Sequence, residues 1–164
     1  MSAPGGILTL DLSLTTGWAY GLASMGRPVC GVWKLPGGGD NGRTYTALGN
    51  ILADAIHLHQ PALVVMEAPL IKQQTSARLL LGLAAHVEST CYRWEVPCRE
   101  QSVMTVRKLV LGRGMFPKGM AKAAVLAWCA EKAWPVQDDN AADACVLWAY
   151  ARQTMATRLM GRAA

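Results

Sequence analysis

The chain has 164 residues, 52% of them hydrophobic and 16% charged. That length reads as one domain spanning 1–164, and that composition can close a core, which excludes a chain that stays disordered. The net charge of +5 is uneven: residues 101–164 hold nine basic and four acidic side chains, while 1–56 and 57–100 are each balanced, and such a basic block points to a polyanionic partner.

No run of about 18 strongly apolar residues exists, so no membrane span is expected. Met1 to Gly6 lacks a basic segment, so no secretory signal is expected. The cysteines, Cys30, Cys91, Cys98, Cys129 and Cys145, are odd in number and form no C-x-x-C. They read as reduced thiols of a cytoplasmic protein without a zinc site. His57 and His59 face different ways on a predicted helix and His86 stands alone, so no histidine is expected to bind metal.

In chain order, Gly6 to Asp11 reads as a short strand. β-like runs follow at Trp18 to Leu22 and Val29 to Leu35, joined by a turn at Ser24 to Pro28, which favours an antiparallel meander. Pro36 to Gly42 is a glycine-rich loop. From Arg43 to His59, Leu48, Ile51, Leu52, Ala55 and Ile56 recur at helical spacing, and Pro61 closes that helix. Ala62 to Glu67 is nearly all apolar, as in a central strand buried on both faces. A polar loop, Lys72 to Thr75, precedes a long helix from about Ser76 to Trp94. Its Leu79, Leu80, Leu81, Leu83, Ala84 and Val87 exceed one narrow stripe, so two of its sides are expected to pack. A short strand near Pro97 follows, then helices at about Ser102 to Leu111, Ala121 to Trp134 and Asn140 to Met160. Trp128, Trp134 and Trp148 read as core residues. The order β-β-β-α-β-α-β-α predicts an α/β fold with a five-stranded mixed sheet and helices on both faces.

Carboxylates stand out against this apolar background. Asp11 and Glu67 each end a strand, and Asp143 lies on the last helix with Asp139 four residues before it and Asn140 three before. Asn140-Ala-Ala-Asp143 also reads as a plain helix start with Asn140 as N-cap. If the two strands are neighbours their carboxylates converge, and converging carboxylates either take up a proton or bind a cation. Oxygen ligands without His or Cys point to Mg²⁺ or Mn²⁺.

These blocks resemble a family. Ile7 to Ala19 is similar to the opening strand of RuvC-type Holliday junction resolvases, and Leu63 to Glu67 to their second acidic strand. Val106 to Lys118 is similar to their basic Gly-x-Gly segment, and Asp139 to Ala144 to their closing acidic helix. The four occur in family order over residues 7 to about 150. The resemblance implies an RNase H-like fold, a homodimer, branched DNA as substrate and two Mg²⁺ ions per site, with Mn²⁺ able to substitute. It implies Asp11, Glu67 and Asp143 as metal ligands, Asp139 or Asn140 completing the set, and Arg107 and Lys118 near the cleaved phosphate. Lys108, Arg113, Lys122, Leu70 and Lys72 are further candidate DNA contacts. Residues 99–122 hold six basic side chains against Glu100 alone, and such charges position a duplex without reading its sequence.

The chain departs from the family in reading Leu12-Ser13 where Pro-Gly is usual, Ala68-Pro69-Leu70 where some relatives carry an aromatic, and Gly82 to His86 in place of Gly-x-x-Arg-Gly. In these it is similar to phage-encoded relatives. Competing expectations are a flap- or fork-directed nuclease of the same superfamily, and a noncatalytic DNA-binding protein, which the Asn140 position alone supports. An ATP-binding kinase of the same superfamily, from Asp11…Thr15-Thr16-Gly17, is disfavoured because such kinases use two domains.

Overall fold

The computed structural model describes residues 5–71 and 74–160, with side chains for all of these except Thr75 and 156–160. Strands β1 (Ile7–Asp11), β2 (Thr15–Gly21), β3 (Val29–Lys34), β4 (Leu63–Glu67) and β5 (Cys98–Gln101) form one sheet in the order β3-β2-β1-β4-β5. The β1–β2 and β2–β3 pairs are antiparallel, and β1–β4 and β4–β5 are parallel. Helices α1 (Asn41–His59) and α2 (Gln74–Arg93) cover one face; α3 (Val103–Leu111), α4 (Met120–Glu131) and α5 (Asp139–Met160) cover the other.

Strand alternation divides the core. Leu8, Leu10, Val64 and Met66 pack with Leu48, Leu52, Leu83 and Val87 beneath α1 and α2. Ile7, Leu63 and Val65 pack with Val125, Cys129, Cys145 and Trp148 beneath α4 and α5. Asp11 and Glu67, two residues on from Thr9 and Val65, therefore project on the α5 side. On α2, Leu83, Ala84, Val87 and Cys91 are buried while Leu81 is half exposed, so that helix is not wholly internal.

Most predicted elements are present, and two boundaries differ by three residues for local reasons. β2 starts at Thr15, not Trp18, because Ser13 builds the turn itself: its Oγ donates to the Thr15 carbonyl (2.8 Å) and accepts from the Thr15 N–H (3.0 Å). Thr16 Oγ1 also donates to the Ser13 carbonyl (2.7 Å). Hydroxyls thus do at Leu12-Ser13 what Pro-Gly would do by backbone shape. α4 ends at Glu131, not Trp134, because Ala133 adopts a left-handed conformation (φ 56°). The Ala133 and Trp134 N–H groups then turn back to the carbonyls of Ala130 and Cys129, a capping pattern that stops the helix before Pro135.

β2 positions α5. Gly17, Ala19 and Gly21 lie across from Asp11, Thr9 and Ile7 and face α5, whereas Trp18 and Tyr20 pack on the α1 side. A methyl group at Gly17 would overlap the Asn140 carbonyl, and one at Gly21 would press on the Trp148 indole. Two buried polar bonds fix the register of helix on sheet: Thr9 Oγ1 donates to the Ala144 carbonyl (2.8 Å), and Trp148 Nε1 donates to the Gly21 carbonyl (3.2 Å). Each such bond contributes about 1 kcal/mol net. Gly17→Ala is expected to lift the start of α5 at a cost of about 2 kcal/mol. A fall in Tm of about 6 °C in thermal denaturation, with the helical content retained, is the check.

Candidate active site

The candidate site is built at one end of the sheet. Asp11 and Glu67 are the last residues of the parallel neighbours β1 and β4, one step beyond the Leu10–Met66 pair. The first turn of α5 lies over the same end because its backbone rests on Gly17, the partner of Asp11. α5 begins at Asp139, one residue earlier than predicted, and its N-cap is Asp138. The Asp138 carboxylate accepts from the Ala141 N–H (2.9 Å), and its carbonyl accepts from the Ala142 N–H (3.0 Å). This corrects the N-cap reading of Asn140. The Asn140 amide donates to Asp138 Oδ2 at 3.4 Å, so that side chain is occupied with the cap, whereas Asp139 acts electrostatically on both Asp11 and Asp143.

Burial and mutual repulsion dominate the electrostatics. Asp11 is pushed well above the ordinary carboxylate range, first by burial and then by the charges of Glu67 and Asp143; Arg107 opposes the rise. Glu67 is pushed up to about 7 by burial and by Asp143, against Arg107 and a hydrogen bond from Asp11. Asp143 rises through burial, with Arg107 pulling it back. Three carboxyl groups that each resist ionisation, in one place, form a site with a shortage of positive charge.

Two cations answer part of that shortage. Arg107, on α3, donates from Nη2 to Asp143 Oδ1 at 3.1 Å. Lys122, on α4, places Nζ 2.6 Å from Asp139 Oδ2, a contact that raises the lysine's own pKa. The sequence marks Lys122 as a DNA contact and Arg107 as near the cleaved phosphate; the structure places both against the acidic cluster. Among the described residues, no three Asp, Glu, His or Cys side chains stand close enough to enclose a metal ion as placed.

The remaining predicted residues lie around this centre. Lys118 is exposed in the turn before α4, and Lys108 is exposed on α3. Arg113 donates from Nε to the Met115 carbonyl (3.0 Å) and lies over the Phe116 ring. Leu70 is exposed in the segment after β4, and Lys72 lies outside the described residues. His59 stacks on Tyr20 and His86 on Tyr45, with centroids 4.4 and 4.7 Å apart. Trp128, Trp134 and Trp148 form an edge-to-face series on the α4–α5 core. The sequence reading names Gly17 only in the kinase alternative and gives Asp138 no role. The small-large alternation of Gly17-Trp18-Ala19-Tyr20-Gly21 was the signal for the first, and the doubled aspartate before Asn140 for the second.

Because all three carboxyl groups titrate higher in the fold than in an unfolded chain, the stability they contribute is complete below about pH 4 and is lost as pH rises, the share of Glu67 through about 7. In the presence of a chelator, Tm is expected to fall between about pH 5 and about pH 8, and Asp11→Asn to flatten that fall. Thermal denaturation across this range is the check.

No family model and no curated protein sequence matches the chain. Solved structures do. RuvC of Thermus thermophilus in complex with Holliday junction substrate aligns with a TM-score of 0.71 and 18% identity, covering 96% of this chain and 96% of that one. A second Thermus thermophilus RuvC structure aligns with a TM-score of 0.64 and 13% identity, covering 90% and 95%. The yeast mitochondrial Holliday junction resolvase aligns with a TM-score of 0.52 and 9% identity, covering 97% and 85%. With the sheet order, the helices on both faces and near end-to-end coverage, the chain has the RuvC-type, RNase H-like fold.

Proposed function

We propose that this protein is a divalent-metal-dependent endonuclease that hydrolyses branched DNA, above all four-way (Holliday) junctions. The observation that carries this reading is the convergence of Asp11, Glu67 and Asp143, with Asp139 beside them, at a sheet end bordered by the basic segment 99–122. The donor set suits Mg²⁺ or Mn²⁺ in its chemistry, being all oxygen with members that oppose one another's ionisation, and its carboxylates would draw together around an entering ion from where they stand. Two such ions held by Asp11, Glu67, Asp143 and Asp139 would supply the charge that activates an attacking water and stabilises the leaving oxygen.

The chain's own residues account for the rest. Asp11 and Glu67 are only partly exposed, which weakens the screening by bulk water of a phosphate bound against them. Lys122 holds Asp139 at the rim, and the exposed Lys108 and Lys118 offer positive charge to the backbone of an incoming strand. Leu70 and Ile71, both more than half exposed, give the apolar contact that the open centre of a branch accepts. Symmetric cutting of two strands needs two sites, so the working unit is a homodimer. The half-exposed Leu81 on α2 supports that helix as part of the interface.

The test is cleavage of labelled four-way junction, flap and linear duplex with Mg²⁺, Mn²⁺ or EDTA. Paired symmetric nicks in the junction are expected, absent in EDTA and reduced about a thousandfold in Asp11→Asn, whose Tm does not fall. Preferential flap cutting replaces the substrate and keeps the chemistry. Tight junction binding without cleavage under either metal overturns the nuclease reading. Separately, Lys118→Ala is expected to weaken junction binding and to reduce the slope of log affinity against log salt by about one, measured by fluorescence anisotropy.

A further inference from the structure

The two ion pairs at the start of α5 differ in kind. Lys122 is 72% exposed, so water and salt screen its contact with Asp139. The Arg107 and Asp143 side chains are only 18% and 14% exposed. Arg107 reaches Asp143 from a different helix, and its Nε is buried without a hydrogen-bond acceptor. An optimised buried arginine–carboxylate pair uses two parallel N–H groups and satisfies the rest. Here the contact is single, through Nη2, and a buried N–H is left unmade. Such a pair neutralises charge without being a well-satisfied structural bond.

We propose that Arg107 is a positioning residue that holds Asp143 in the metal-free protein, and that a divalent cation entering the carboxylate cluster displaces it from Asp143 Oδ1. The proposal rests on the cluster being the metal site described above. One carboxylate oxygen cannot serve a guanidinium and a dication at full strength, and the two cations repel each other across it. Arg107 therefore acts as a stand-in charge: it keeps Asp143 in place on α5 while the cluster is empty of metal, at the expense of metal affinity.

Isothermal titration with Mn²⁺, without DNA, tests this. Arg107→Gln is expected to bind Mn²⁺ about tenfold more tightly than wild type. Arg107→Lys keeps the charge but loses the reach, and is expected to bind about threefold more tightly. Arg99→Gln removes one charge from an exposed position on β5 and is expected to change the affinity less than about twofold. The proposal for Arg107 is overturned if Arg107→Lys binds no more tightly than wild type, or if Arg107→Gln gains no more than Arg99→Gln. If Arg107→Gln does not fold, Arg107→Lys still decides. Wild-type protein that takes up no Mn²⁺ overturns the metal site itself, an outcome distinct from wild-type uptake with unchanged variants.

Discussion

The closeness of α5 to β2 is the constraint on which the rest of the structure depends. Three residues without bulk, Gly17, Ala19 and Gly21, let a helix backbone lie directly on a strand. Thr9 and Trp148 then lock the helix in register with hydrogen bonds to main-chain carbonyls. This is where sequence becomes site geometry. With larger residues on that face α5 would stand off the sheet, and Asp139 and Asp143 would no longer meet the strand-end carboxylates. The aromatic residues of the same strand, Trp18 and Tyr20, take the opposite side, so one five-residue stretch serves both core layers.

The cost of that geometry is electrostatic. Bringing carboxylates together out of water raises each one's resistance to ionising, and a fold that does so needs a source of positive charge. The basic excess of residues 101–164 supplies it in two layers. Arg107 lies largely buried against Asp143 and Lys122 pairs with Asp139 from the exposed rim, while Lys108 and Lys118 are exposed farther out along the segment. The same segment therefore balances the site and charges the surface around it.

Much of this was legible in the residues. Apolar runs ending in a carboxylate marked β1 and β4, helical spacing marked α1, and Asp139 to Asp143 marked the start of α5. The short connections between the first three strands pointed to their antiparallel meander, whereas the pairing of β1 with β4 stayed open until the sheet order was seen. What stayed hidden depends on contacts between distant segments. Both Lys118 and Lys122 are exposed, and nothing near Lys122 in the sequence marks it as the one that touches Asp139, because the phase of α4 is set by packing against α5. Arg107 looks like any basic residue on an amphipathic helix, and only the placement of α3 beside α5 turns it toward Asp143. The end of α4 is hard to read because alanine carries no local mark of a left-handed conformation; the cap at Ala133 comes with Trp134 and Val136 packing against the core.

The tryptophan series gives the molecule an internal optical gauge. Trp128 shares α4 with Lys122, Trp148 shares α5 with Asp143, and Trp134 stands edge-on to both, at 5.1 and 5.8 Å. Indoles this near one another couple their transitions, and that coupling depends steeply on angle and separation. A rotation of α4 large enough to carry Lys122 away from Asp139 must also tilt Trp128 against Trp134. The near-ultraviolet circular dichroism of the folded chain thus carries a signature of the helix that guards the acidic rim, written by residues with no part in the chemistry.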